Sequence, residues 1–317
     1  MMGLRIHALE QESSPRGSTL AALNLTHEIA PEVTMKALLR YATCITLLVS
    51  TVAAHAIDCR KASNPVERTI CADEKLKAAD AEMGKVYAAV MQQAGNDTDL
   101  RAMLVRGQKR WIEARDKRFA DPQDLAGAPS GKALHASLLK AIRQRTKTMS
   151  EPSKANPATP HLLDTALQQR KFLAQFTGGA FAGFETGCDF LPGGQELSYG
   201  CFSERRYQNR DRVCTLMDDW ASGGYYQTRL VGNVVQGRLE TVAACGDGSE
   251  GGSPCPDTVD DRRKANAGWN LHPGRPALAP KALPKLDAEV ELGAEDTDWL
   301  HACLADSRYP QNTGAVR

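Results

Sequence analysis

The sequence predicts an α+β protein in two parts. The first is an antiparallel helical hairpin or bundle stapled by a disulfide, and the second is a small disulfide-containing antiparallel β-rich domain. Three observations carry this. A cysteine-framed loop, CRKASNPVERTIC from Cys59 to Cys71, opens onto two stretches with apolar residues at helical spacing. After Gly179 come short segments rich in Val, Tyr and Thr, bounded by Gly, Asn and Asp. Between the two lies SEPSKANPATP (150–160), which has little to bury and reads as a linker.

The region from Met35 to Ala56 sets the compartment. Lys36 and Arg40 precede an apolar run from Tyr41 to Val52, and Ala54-His55-Ala56 supplies an A-x-A cleavage site. This is the pattern of a secretory signal peptide (35–56), with Ile57 expected as the first residue of the mature chain. The apolar run is shorter than the roughly 20 residues of a membrane span. No integral membrane segment is expected after cleavage, and the destination is periplasmic or secreted. Residues 1–34 are polar and unpatterned and read as an upstream extension from a start codon placed too early. Tyr41-Ala42-Thr43 is a poor lipid box for Cys44. Setting Cys44 aside leaves an even set: Cys59, Cys71, Cys188, Cys201, Cys214, Cys245, Cys255 and Cys303. In an exported chain this favours disulfides over zinc, and no pair has C-x-x-C spacing. The pairing of the six distal cysteines stays open.

The helical domain is expected over 57–149. Leu76, Ala79, Met83, Val86, Tyr87 and Val90 form one stripe. Gly95-Asn96-Asp97 breaks it, with Asn96 or Asp97 placed to cap the next helix. Leu100, Leu104, Gln108, Trp111, Arg115 and Phe119 form a second stripe, and Leu134, Leu138 and Ile142 a weaker third. The β-rich domain (161–317) begins with one more helix, Pro160 to Phe176, which Thr159 could cap and Gly178 stop. SYGCFSER, RVCTLM, YYQTRLV and GRLETVAAC read as strands, and Val231-Gly232-Asn233-Val234 reads as a hairpin turn. The Gly- and Pro-rich stretch 246–284 reads as a loop that Cys255 could staple.

Charge is divided unevenly. From Ile57 to Ser150 there are 18 Lys+Arg against 12 Asp+Glu, a net +6, and from Glu151 to Arg317 there are 17 against 22, a net −5. The second helix carries Arg101, Arg106, Lys109, Arg110, Lys117 and Arg118, without the aromatic platform of a nucleic-acid surface. No nucleic-acid partner is expected. His135, His161, His272 and His301 are scattered, so no metal site is expected. GDGSEGGSPCPD lacks the EF-hand ligand order, and neither a G-x-S-x-G elbow nor a P-loop occurs. Asp218-Asp219-Trp220 could offer an acidic pair for general acid–base work, but adjacent acids on a turn read as solvated. No catalytic residue and no cofactor are expected.

The stretch Cys59 to Asp116 resembles the N-terminal domain family named after the LprI lysozyme inhibitor. The residues that carry the resemblance are Cys59, Ser63, Glu67, Ile70, Cys71, Leu76, Asp80, Met83 and Tyr87, then Gln108, Trp111, Arg115 and Asp116. The resemblance, over about residues 59–119, implies an envelope or secreted location, a Cys59–Cys71 disulfide and inhibition of c-type lysozyme. Two departures stand out. Many members carry a further cysteine just after the R-D pair, where this chain has Lys117-Arg118-Phe119, so a second disulfide in the module is absent or replaced by packing of Phe119. The namesake is a lipoprotein, and this chain lacks a convincing lipid box.

Within this module Asp80 falls on the apolar stripe of its helix and Arg115 on that of the facing one. A charge turned inward needs a partner. The expectation is an Asp80–Arg115 or Glu67–Arg115 ion pair, supported by Gln108 and packed under Trp111, read as an architectural pair that fixes helix register or as a ligand site. In the second half, DAEVELGAEDTDW holds Asp287, Glu289, Glu291, Glu295, Asp296 and Asp298. It reads as an exposed edge strand and a solvated loop, or as a docking surface for a basic partner such as lysozyme. The function expected is an exported binding protein that inhibits lysozyme by occluding its cleft. The alternative is a non-inhibitory protein that binds peptidoglycan or another cell-envelope component.

Overall fold

The computed structural model describes residues 56–120, 131–193, 196–221, 224–246, 254–256 and 268–310. The expected extension, the signal segment before Ala56 and most of the GDGSEGGSPCPD stretch lie outside these residues.

Local sequence starts each helix of the first half. Asn64 caps α1 (Pro65–Ala72) through a capping box: its Oδ1 accepts from the Glu67 amide while the Glu67 carboxylate accepts from the Asn64 amide. Asp73 caps α2 (Glu74–Gln93) by accepting from the amides of Lys75 and Leu76. Gly95 then turns the chain at φ +57°. Asp97 caps α3 (Thr98–Ala120), accepting from the amides of Asp99 and Leu100. The same carboxylate receives two bonds from Arg170, at 2.6 and 2.9 Å, on α5 (His161–Leu173). One side chain thus caps one helix and anchors another.

The helical half is a bundle. α2 packs chiefly on α4 (Lys132–Ser150), while α3 lies against the first strand of the sheet, so α2 and α3 meet mainly through long side chains. The stretch 150–160 is closed on itself. The Ser153 amide donates to the Thr159 carbonyl, its hydroxyl bonds to Asp164, and Pro152 bridges Pro160. Pro160 stands at the N-cap of α5 and offers no side-chain cap; Thr159 is used in the closed turn instead.

The second half is a meander. β1 (Gly183–Gly193), β2 (Glu196–Asn209), β3 (Arg212–Ala221), β4 (Gly224–Val235) and β5 (Arg238–Gly246) pair antiparallel in chain order. The β4–β5 turn lies at Gln236-Gly237, both at positive φ (49° and 75°), and not at Gly232-Asn233. Gly232 sits inside β4 at a bulge, where an added Cβ would come within 2.9 Å of the Glu240 carbonyl oxygen. The residue that read as a turn is a close-approach point. Among the described residues four disulfides form. Cys59–Cys71 closes the head loop, and Cys188–Cys201 joins directly opposed residues of β1 and β2. Cys214–Cys303 ties β3 to the last helix, α6 (Ala294–Ala305), and Cys245–Cys255 ties β5 to the following loop.

The acidic segment departs most from expectation. It forms neither an edge strand nor a solvated loop. Residues 285–292 make a strap that crosses the helical bundle and runs into α6. Leu286 and Ala288 join the core of the helices, whereas Val290 joins the core between sheet and α6. Gln169 of α5 holds the strap's backbone, donating to the carbonyls of Asp287 and Val290 and accepting from the Asp287 amide. Asp287 takes a two-pronged bond from Arg110, both contacts at 2.7 Å. Glu289 accepts from Arg145 at 2.8 Å, and Arg106 donates to the Leu286 carbonyl. Phe190 of β1 completes the contact from the other side, stacking edge-on against Trp111 and Phe119. The helical core therefore includes side chains drawn from the C-terminal half.

Two outcomes follow. Asp287→Ala leaves the largely buried Arg110 without its counter-ion and should cost about 3–5 kcal/mol in urea unfolding, with much of that loss absent in Arg110→Met/Asp287→Leu. For Asp97, the Arg170 side chain holds the folded-state pKa down at about 2, from an ordinary 3.8. A depressed carboxylate stabilises above its unfolded pKa and loses that contribution as pH falls towards the folded value. The urea midpoint should thus drop between about pH 4 and pH 2, and Asp97→Asn, which keeps the cap, should reduce that drop.

Candidate functional site

The candidate site is a groove of about 1050 Å³ between α2 and α3, roofed at one end by the chain leading into α1. It exists because these two helices stand apart: α2 packs chiefly on α4 and α3 on β1. Its apolar wall is Met83, Tyr87, Val105 and Ile112, with Val105 exposed. Asp58, Arg60, Lys61, Lys109 and Glu113 stand at its mouth.

Its floor holds the inward charges. Asp80 is 3% exposed and Arg115 2% exposed, and Asp80 Oδ1 lies 3.9 Å from Arg115 Nη1. Arg115 is bound more closely to Asp116, whose Oδ1 accepts from Nε at 2.8 Å and lies 2.6 Å from Nη2. The guanidinium also lies over the Trp111 ring, 5.4 Å from its centroid. Asp80 Oδ2 accepts from the main-chain nitrogen of Ile57 at 2.8 Å. Burial raises the Asp80 carboxyl above its usual pKa, against the pull of the Ile57 hydrogen bond and Arg115. The Glu67 carboxyl is lowered, first by the Ser63 amide that donates to it.

The structure brings Asp80, Trp111 and Arg115 together, with Glu67 at the margin in its capping box. Gln108 lines the same groove but is drawn to a second cluster. Its Oε1 accepts from Arg145 and its amide contacts the Met83 sulfur. That second cluster, made of Arg110, Arg145, Asp287 and Glu289, was hidden because its acids lie some 140 to 180 residues away in the chain. Asn64 was missed as well: its amide reaches Asp116 Oδ2 at 2.9 Å and ties the α1 cap to α3.

The acidic residues do not form one outward surface. Asp287 and Glu289 face inward against arginine. Asp296 is buried, with Arg229 nearby at 3.7 Å. Glu291 is exposed and bonded to His161, and Asp298 is exposed. Glu295 lies in α6, and its side chain is outside the described residues. The Asp218 carboxylate, half-buried, accepts from Arg205, Ser203 and Tyr225. His301 stacks on Phe172 and Phe176, and His135 lies beside Asp73, so these histidines are engaged elsewhere. Among the described residues no three His, Cys, Asp or Glu side chains gather as a metal site, and no helix is long and apolar enough to cross a membrane.

Fold and groove together define an α+β protein built around a cystine-clasped helical module with a charged cleft. Residues 59–171 match the family described as lysozyme inhibitor LprI, a span that runs through α5 and well past Asp116. An uncharacterised protein, R02472 of Rhizobium meliloti (strain 1021), is 32% identical over 107 residues, covering 30% of this chain and 77% of that protein. The chain belongs to the LprI family through its helical half. No solved structure gives a significant match.

Arg115→Leu tests the role of the floor. It strands the Asp80 carboxylate in a buried site, so the urea-unfolding free energy should fall by about 3–5 kcal/mol. An unchanged value would mean that the pair does not hold the helices in register.

Proposed function

We propose that this is an exported, non-enzymatic protein of the periplasm or extracellular space that inhibits c-type lysozyme by occlusion. The part placed in the enzyme's cleft is the head loop from Cys59 to Asn64. The observation that carries this reading is the family match, which begins at the cystine that closes this loop.

The physical support is the loop's stiffness and its charge. The cystine holds one end, the Lys61 amide donates to the Asp58 carbonyl in a tight turn, and the Asn64 capping box fixes the other end. A stiff loop loses less entropy on binding than a mobile one. Arg60, Lys61 and Ser63 are exposed, and Arg60 keeps 90% of its side-chain surface despite a surface pairing with Asp58. Such an exposed pairing is weak and easily exchanged. Lysozyme works with two carboxylates in its cleft, so a cation on a rigid tip suits the interior of that cleft even though the enzyme as a whole is basic. Docking through the acidic segment loses its support, because Asp287 and Glu289 are already spent on Arg110 and Arg145.

The test is a turbidity assay of cell-wall lysis with the mature chain at micromolar concentration. Lysis should slow, and Arg60→Ala/Lys61→Ala should weaken inhibition by about tenfold or more, roughly 1.4 kcal/mol, with unchanged Tm. Undiminished lysis would overturn inhibition. Salt-sensitive retention on purified cell wall in that case would favour the alternative, a non-inhibitory envelope-binding protein.

A further inference from the structure

We propose that the mature N-terminus is a structural group: cleavage of the Ala56–Ile57 bond creates an α-ammonium that forms a buried ion pair with Asp80. The inference rests on the export half of the reading above and is independent of what the groove binds.

Asp80 has a shortage of positive charge. Among the described residues its one close side-chain cation, Arg115, lies 3.9 Å away and is held at 2.6 Å by Asp116. Glu67 adds a further carboxylate at the margin, one of the groups that pushes the Asp80 carboxyl up. Three carboxylates thus border one guanidinium. The shortest contact to Asp80 is to the main-chain nitrogen of Ile57, at 2.8 Å. The Ile57 side chain packs against the helical core, which fixes that nitrogen in place. Ile57 is also the residue that follows Ala54-His55-Ala56, the cleavage pattern read from the sequence.

In the uncleaved chain this nitrogen is a neutral amide with one proton to donate. A signal-peptidase-class endopeptidase adds water across the Ala56–Ile57 bond. The C–N bond breaks, Ala56 leaves with a carboxylate, and Ile57 retains an amine that protonates at neutral pH. The hydrogen bond at 2.8 Å then becomes charge-assisted, and a charge-assisted bond is roughly twice as strong as a neutral one. The buried carboxylate gains a cation at 2.8 Å, closer than Arg115 at 3.9 Å. The correctly processed chain is therefore the one whose floor is electrostatically complete.

The experiment compares the full mature chain beginning at Ile57 with a chain carrying Gly-Ser before Ile57, and with the Ile57 chain carbamylated at its α-amine. The Ile57 chain should melt about 3–8 °C above both, a range set by how Tm scales with stability in a domain of this size. Asp80→Asn should remove the difference. Equal melting of the free and blocked chains, or a difference that survives Asp80→Asn, overturns the ion pair. If Asp80→Asn does not fold, the comparison of free and carbamylated amine decides alone. Intact mass of protein recovered after export tests the processing separately: a chain starting at Ile57 supports it, and any other start overturns it.

Discussion

The contact on which the rest of this fold depends is the two-pronged bond between Arg110 in the middle of α3 and Asp287 on the strap. It joins the basic half of the chain to the acidic half at a point where both side chains are largely removed from water. A buried pair of this kind tolerates little error in geometry, because either charge left alone is costly. Its surroundings meet that demand. Gln169 fixes the strap's backbone on either side of Asp287, Arg106 takes the neighbouring carbonyl, and Arg145 neutralises Glu289. Gly107, in the interior of α3, gives Glu289 room; an added Cβ would lie 2.9 Å from its carboxylate oxygen. A glycine that weakens a helix by about 1 kcal/mol is explained here by what passes over it.

This arrangement changes the meaning of the charge asymmetry. A net +6 beside a net −5 suggests two faces waiting for partners. In the folded chain a central part of that charge is spent internally, with α3 and α4 supplying the cations and the strap the anions. What stays outside is a mixed surface and a stiff, positively charged head loop. The groove beneath that loop survives because α2 and α3 do not close on each other. The family match spans residues 59–171, and the sheet packs against that helical part through β1 and α3.

Much of the helical half was legible in the sequence because its signals are local. The apolar stripes, the break at Gly95, the Asp97 cap and the cysteine-framed loop each act within a turn or two. Asp80 and Arg115 were legible as inward charges because they interrupt apolar stripes. What could not be read was partnership at long range. Alternating charge and hydrophobicity in DAEVEL looks like an edge strand, and only the arginines of α3 and α4 turn it into a strap. β1 was missed because Gly183, Gly187 and Asp189 dilute its strand-forming residues. Gly232 was misread because a bulge and a turn use the same residue for different reasons. Phe119 packs edge-on against Phe190 of β1, a partner that no local signal could name.

The strap also bears on the order in which the chain can acquire its shape. A chain made from its N-terminus delivers α1 to α5 long before residues 285–292 emerge. Until then the helices have no Leu286 or Ala288 to finish their interior, and Arg110 and Arg145 face an unfilled trench. The module at the front must wait, incompletely assembled, for a segment near the tail. The cystine at its head, formed between residues only twelve apart, is available from the start and gives the waiting intermediate a clasp. The bond between Cys214 and Cys303, 89 residues apart, locks the assembly only once the tail has arrived.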